Sequence, residues 1–304
     1  VIFDEYHFIE DSSRGSAWEE AIILTPQGSQ VVLMSASFSN AEDFAGWLES
    51  LSYKKAELIQ VKERPVALVD LIWWKEGWVS ADLIKGALKK VRGEFQKGMS
   101  HGFNRKLEAL DELGLSPAIV YCDTRKSCSL LANQLVDHLP RLTEEKSIEM
   151  KSHIRNFLDS LSSHEEIDAN MEDLLVYYGV CYHHSGLPPV LRLVIESLLK
   201  IGAIRFCFAS MGISLGVNFS VRSTVIVGDS RPGENGRVRY SPSEILQMTG
   251  RAGRRGRDSV GFNLWITPTS YKMFGKMLRP KGVSKFKMDP SSLLSLISRD
   301  YSMS

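Results

Sequence analysis

The sequence predicts an α/β fold built on parallel sheets, and two observations carry that prediction. Short apolar runs recur at 1–3, 31–35, 118–122, 179–182, 204–208, 224–228 and 261–266, and runs of this length bounded by polar residues read as buried strands. Between them lie helical patterns. After Pro188-Pro189, Leu191, Val194, Ile195, Leu198 and Leu199 fall on one stripe; from about Thr124, Cys128, Leu131, Leu135 and Leu139 face one way. Strands alternating with helices in this order argue for parallel α/β layers.

The remaining elements follow in chain order. Trp73-Trp74 and Trp78 sit in a strand-like linker, where stacking on bases is open to them but packing is the plainer use. Pro140 to Glu172 is rich in charge and serine and reads as a helical insertion. Gly233–Tyr240, with Arg237 and Arg239, reads as a loop. A helix then starts at Ser241-Pro242-Ser243-Glu244, which has the form of a capping box with proline at the first helical position. No internal repeat or low-complexity tract occurs.

Composition excludes several classes. A length of 304 residues suggests one to two domains with ample core. With 43% hydrophobic and 24% charged residues, the chain reads as a globular protein. A net charge of +1 gives no global basic signal, so any nucleic-acid surface must be local. Four cysteines (Cys122, Cys128, Cys181, Cys207) show no C-x-x-C spacing, so a reducing intracellular setting is the default and disulfides are not expected. No run approaches ~18 apolar residues, so no transmembrane helix or membrane partner is indicated. His183-His184 suggests zinc, but adjacent strand residues point to opposite faces and no further ligand stands at metal spacing.

Two clusters carry chemistry. Residues 247–258 read Gln-Met-Thr-Gly-Arg-Ala-Gly-Arg-Arg-Gly-Arg-Asp. A helix begun at Ser241 would place Gln247, Arg251 and Arg254 at i, i+4 and i+7 on one face. A stripe at that spacing is ordinarily apolar; an amide and two guanidiniums there suit an anion, since arginine makes forked contacts with phosphate oxygens. At the other end, the apolar run Val1-Ile2-Phe3 stops at Asp4-Glu5. Nucleotide hydrolases hold magnesium and orient the attacking water with carboxylates placed in this way. The bland readings are an acidic strand end and a solvated basic face.

Taken in order, these clusters and Ser35-Ala36-Ser37 after a strand resemble the superfamily-two helicases of the DExH type, and within them the Ski-two-like (superkiller) family. The resemblance covers nearly the whole chain. Asp4–His7 looks like motif II, and Arg14-Gly15 with Trp18-Glu19-Glu20 is similar to its continuation. Ser35–Ser37 looks like motif III with Ser in place of Thr. Arg64-Pro65-Val66 resembles the exit from the first motor domain, and Val120–Lys126 motif IV. Tyr182–Pro188 looks like the segment after it, Ala209–Asn218 motif V, and Gln247–Asp258 motif VI. Motif V departs from the pattern: Ser210 and Gly212 stand for threonines, and Ser220 for a proline.

The resemblance implies two RecA-like parallel-sheet domains. Residues 1–65 would be the C-terminal part of the first, 66–116 an exit segment and linker, 117–268 the second, and 269–304 the lead into a winged-helix domain. It implies an ATP-dependent helicase and nucleoside triphosphatase acting on single-stranded nucleic acid, RNA favoured over DNA, with scope for a larger protein complex. ATP and magnesium would be the cofactors. Asp4 would hold magnesium through water, together with Glu5, which would also position the hydrolytic water; Arg251 and Arg254 would be arginine fingers, with Gln247 beside them. Gly216 and Asn218 would join the nucleotide site. His7, Ser35 and Ser37 would couple nucleotide state to nucleic acid. Thr124, Arg125 and Ser210 would meet its backbone, the alternatives being a helix cap for Thr124 and plain surface for Arg125. No Gly-x-x-x-x-Gly-Lys-Ser/Thr occurs in these residues. In the family that loop lies upstream of motif II, so the expectation is that these residues alone are inactive. A catalytically inactive nucleic-acid scaffold and a DNA-repair helicase are the alternatives.

Overall fold

A computed structural model gives the architecture. It describes residues 1–6, 9, 15–26, 28–35, 41–52, 55–61, 63–84, 86, 102–162, 167–211, 219–233, 236–267 and 271. The chain divides into two compact units, Val1–Glu63 with Met277–Ser304, and Arg64–Lys276.

In the first unit, β1 (Ile2–Phe3) pairs in parallel with β2 (Val32–Leu33), Ile2 opposite Val32 and Phe3 opposite Leu33. The pairing continues past the strands: Met34 N donates to Phe3 O and Tyr6 N to Met34 O, both at 2.9 Å. Helices α1 (Gly15–Ile23) and α2 (Ala41–Ser52) complete the described part. A small core forms from Tyr6, Ile9 and Ile22, with Phe44 and Trp47 packed against it. Tyr6 and Phe44 meet edge-on at 4.9 Å, and burial drives the Tyr6 hydroxyl well above the usual phenol range.

The second unit is a mixed α/β body around a seven-stranded sheet among the described residues. Its elements are β3 (Ala67–Trp74), β4 (Gly77–Ser80), α3 (Phe103–Glu112), β5 (Ala118–Cys122), α4 (Arg125–Val136), α5 (Glu144–Ser160), α6 (Ala169–Asp173), β6 (Val180–His183), α7 (Pro189–Ile201), β7 (Phe206–Ser210), β8 (Ser223–Ile226), β9 (Ser230–Gly233), β10 (Gly236–Arg239), α8 (Pro242–Gly250) and β11 (Val260–Trp265). The sheet runs β4-β3-β11-β8-β5-β7-β6. Every pairing is parallel except β3 with β4. β5 is buried along its whole length, as strands covered on both faces must be.

Helix α7 shows why these residues fold as they do. Pro189 opens it, where a missing N–H costs nothing. Leu191, Val194, Ile195, Leu198 and Leu199 are buried as their spacing predicts, each contributing roughly 1.5–3 kcal/mol of transfer free energy. Gly202 ends it at φ 80°, in the left-handed region.

Two expectations change. The stretch read as exit and linker contributes β3, β4 and α3; β3 lies parallel to β11 in register from Val260–Ala67 to Trp265–Ile72. Trp73 and Trp78 stand opposite each other on this hairpin, edge-on at 5.3 Å, and Trp78 Nε1 donates to Lys106 O. They pack, as the plainer reading had it. The loop expected at Gly233–Tyr240 is instead the second half of a β9–β10 hairpin, with Arg237 opposite Pro232 and Arg239 opposite Ser230. The expected winged-helix lead, 269–304, lies outside the described residues apart from Tyr271.

Candidate functional site

In the first unit, Asp4 and Glu5 leave the carboxyl end of β1, and Ser35 follows the adjacent β2 at the same end. The structure therefore brings these three candidates to one strand end. Asp4 is exposed, and one of its oxygens accepts from Glu5 N at 2.8 Å. An exposed carboxylate carrying hard oxygen donors suits a magnesium ion that keeps most of its water. Glu5 has φ 54°, a left-handed conformation that costs a non-glycine residue about 1–3 kcal/mol and clusters at functional sites. His7 and Ser37 lie outside the described residues.

In the second unit, the arginine segment is built by α8 and the turn after it. Ser241 Oγ accepts from Glu244 N, while Glu244 Oε2 accepts from Ser241 N at 2.6 Å, so the predicted capping box is present. Glu244 Oε1 also accepts from Arg231 Nε at 2.9 Å, tying the helix start to the β9–β10 hairpin. The helix ends at Gly250 with Arg251 as its C-cap. Gln247 thus lies on the helix, Arg251 at its end and Arg254 beyond it, not on one helical face as the spacing predicted. The physical reason lies in β-type bonding that interrupts the helix. Val221 N donates to Arg251 O at 3.0 Å and Gly253 N to Val221 O at 2.7 Å, forming a parallel bridge. Gly253 turns the chain at φ 86°.

Close packing fixes that turn. A Cβ on Gly253 would stand 2.6 Å from Val66 Cγ1, and one on Gly261 would stand 2.5 Å from Gly253 N. Arg64 Nη2 donates to Gly250 O at 3.2 Å and Ala252 O at 3.5 Å, so residues 64–66 lie along the backbone that carries Arg251. Burial lowers the Arg64 pKa. Arg254 forms a forked ion pair with Asp258, and Arg257 Nη1 donates to Lys200 O at 3.4 Å and Ile201 O at 3.1 Å, the last carbonyls of α7. A cation at a helix C-terminus is favourable, so Arg257 caps α7.

Thr124, Arg125 and Ser210 come together at the carboxyl ends of neighbouring strands, Cys122 standing opposite Ser210. Thr124 caps α4: its Oγ1 accepts from Ser127 N at 3.0 Å. Arg125 is exposed and donates from Nη2 to Ser185 Oγ at 2.9 Å. Asp123 accepts from Ser127 Oγ and from Arg237 Nη1. Burial pushes its carboxyl up, but these bonds hold it below the usual carboxylate range. Gly216 and Asn218 lie outside the described residues.

His183 and His184 diverge as expected. Nε2 of buried His183 meets Glu196 Oε1 at 3.2 Å, and burial with Arg192 and His184 nearby lowers its pKa to about 4. Burial also raises the Glu196 carboxyl; with its own pKa lowered, the His183 ring is neutral at pH 7 and the contact is a hydrogen bond. His184 Nδ1 accepts from Gly186 N at 3.1 Å. Among the described residues, no group of three or more His, Cys, Asp or Glu side chains could hold a metal ion.

The family model for the helicase conserved C-terminal domain matches residues 134–256. The chain is 32% identical over 289 residues to the exosome RNA helicase MTR4 of Mus musculus, across 86% of this chain and 27% of that protein. It is 29% identical over 293 residues to the DExH-box ATP-dependent RNA helicase DExH9 of Arabidopsis thaliana (86% and 30%). To the probable helicase HelY of Mycobacterium tuberculosis it is 30% identical over 301 residues (86% and 32%). These matches support a superfamily-two helicase of the Ski-two-like kind. The chain spans less than a third of the length of these relatives.

The domain match takes in Ser210, Gln247, Arg251 and Arg254, whereas Asp4, Glu5, Thr124 and Arg125 precede it. Sequence reasoning missed Asp258, Arg64 and Asp123 as site-building residues. The four-residue spacing of Arg254 and Asp258 was the available signal for the first. Arg64 and Asp123 act across separations of 186 and 114 residues, for which a single sequence carries no signal.

Proposed function

We propose that the chain is part of an ATP-dependent RNA helicase motor. The observation that supports this best is the arginine turn, an Arg251–Arg254 segment held rigid by backbone bonding and glycine packing. In this reading the first unit is the C-terminal part of one RecA-like lobe and the second unit the other lobe. Residues 269–304 lead into a winged-helix domain. Glu5 orients and deprotonates the attacking water, and Asp4 holds magnesium through water. When bound, magnesium supplies charge neutralisation on the transferred phosphoryl group. Arg251 and Arg254 meet the charge that develops on the γ-phosphate, with Gln247, Gly216 and Asn218 completing the nucleotide site. His7, Ser35 and Ser37 link nucleotide state to RNA. Thr124 and Arg125 at the first turn of α4, together with Ser210, grip the RNA backbone, and hydrolysis lets the lobes step along the strand. The setting is intracellular, without a membrane partner and with scope for a larger complex. RNA is favoured because relatives are named as RNA helicases.

The test is RNA-stimulated ATP hydrolysis by the full-length protein. Backbone gripping predicts binding that depends little on base sequence and weakens with salt, with a log–log slope of about −0.7 per neutralised phosphate. Stimulation by DNA alone at the same salt would replace RNA as the substrate. Binding without hydrolysis would leave a scaffold in place of a motor.

A further inference from the structure

The Asp258 side chain makes three polar contacts within the arginine turn, and its backbone N–H donates to Arg254 O at 2.9 Å. Its Oδ2 accepts from the backbone N–H of Arg254 at 2.9 Å and from Arg254 Nε at 2.8 Å; its Oδ1 accepts from Arg254 Nη2 at 2.8 Å. The Asp258 side chain is 5% exposed and that of Arg254 18%. The hydrogen bonds from Arg254 hold the carboxyl below its usual range. Pairs four apart on an exposed helix adjust freely, but this one lies beyond the helix end. One of its bonds goes to backbone, so the guanidinium is fixed relative to the chain that carries it.

The fork uses one edge of the guanidinium, Nε and Nη2, and leaves the Nη1 corner outside it. That corner lies over Gly202, where a Cβ would stand 3.0 Å from Nη1. The glycine that ends α7 therefore also keeps the corner clear. Arg257 fastens the same turn to the α7 carbonyls.

We propose that Asp258 is a positioning residue for Arg254: it holds the Nε/Nη2 edge so that the guanidinium plane is set and the Nη1 corner is presented to phosphate. The role rests on the nucleotide hydrolysis proposed above. Donors fixed before charge develops stabilise it without reorganising at the moment of reaction. The Asp258 charge offsets part of the arginine charge, so its contribution lies in geometry and should affect turnover more than nucleotide binding.

The experiment compares Asp258→Asn, Arg254→Ala and the double variant in the full-length protein, measuring kcat, KM for ATP and melting temperature. Misplacing a catalytic group by about 1 Å lowers rates on the order of 10²-fold, and that fall in kcat is expected for Asp258→Asn. KM should stay within about twofold, the pattern of an interaction made in the transition state. The double variant should be no slower than Arg254→Ala. Gly202→Asn provides a second route, since Asn tolerates positive φ yet would crowd Nη1. It should lower kcat in the Arg254 protein and not in the Arg254→Ala protein, and it decides the matter if Asp258→Asn does not fold. Additive losses, unchanged kcat in Asp258→Asn, or unchanged kcat in Gly202→Asn where the first variant cannot be obtained, would overturn the positioning role alone. No ATPase in the unaltered protein would overturn the hydrolysis reading and this role with it.

Discussion

The acidic strand end and the arginine turn are held in place by different means. Asp4 and Glu5 sit where a short strand stops; among the described residues, the parallel neighbour β2, a bond from Glu5 N to Asp4 and a left-handed backbone at Glu5 shape this end. Arg251 and Arg254 depend on residues scattered through the second unit. Val221 takes their backbone, Arg64 and Val66 lie along it, Gly261 makes room, and Asp258 grips a side chain. The first arrangement should therefore be broken mainly by changing its charged groups, the second also by changing residues that carry no charge.

The largest effect is expected at the acidic end. Glu5→Gln in the full-length protein should abolish ATP hydrolysis while nucleotide binding stays nearly intact, measured by turnover beside equilibrium binding. The amide keeps the shape but cannot take the proton of the attacking water. Normal turnover would remove Glu5 from the mechanism.

Next in size is Arg254→Ala, which should slow turnover by about 10³–10⁵, the usual contribution of an arginine finger, with little change in RNA affinity. Arg257→Ala should leave turnover far less affected and lower stability by about 0.3–1 kcal/mol, the range for a cation at a helix C-terminus. Equal kinetic effects would reduce the segment to a basic surface.

Gly261→Ala tests the uncharged side of the comparison. Its methyl would meet the Gly253 backbone at 2.5 Å, and overpacking of this kind costs about 1–3 kcal/mol or more. Reduced melting temperature together with reduced turnover is expected. Loss of neither would show that the turn adjusts freely.

Two smaller effects concern the sheet of the second unit. His183 is neutral when folded, with a pKa lowered to about 4. Below about pH 6.5 the unfolded chain takes up a proton that the folded ring refuses, so stability present at neutral pH should fall between about 6.5 and 4. Denaturant titrations of His183→Gln across that range should lack this component. Asp70 accepts from Asn263 Nδ2 and Trp265 Nε1 between β3 and β11, and burial raises its carboxyl pKa. A raised carboxyl favours the folded state in acid, and that advantage is lost as pH rises through the folded pKa. Asp70→Asn, which keeps an accepting oxygen, should therefore melt higher at pH 7, with the gain disappearing in acid. A lower melting point at pH 7 would show that the charged form is the favoured one.

Periodicity and local chemistry made much of this protein legible. The stripe from Leu191 to Leu199 is buried as its spacing requires, and Ala118–Cys122 is a strand over the predicted span. The Ser241–Glu244 box forms as written. Each depends on residues within a turn or two of one another, where side-chain spacing and capping chemistry act directly. The resemblance to helicases too was legible, because the motifs that carry it are contiguous.

What the sequence could not decide were the arrangements made between distant segments. Helical spacing put Arg254 on a face with Gln247, whereas the bond from Gly253 to Val221 ends that spacing after Gly250. Part of the expected linker joined the sheet, β3 lying beside β11, because parallel pairing offered its backbone partners there. Local sequence determined which side chains are candidates for the chemistry. Tertiary structure decided where they point, because long-range backbone bonds and glycine-sized gaps outweigh the weak preferences of a single turn.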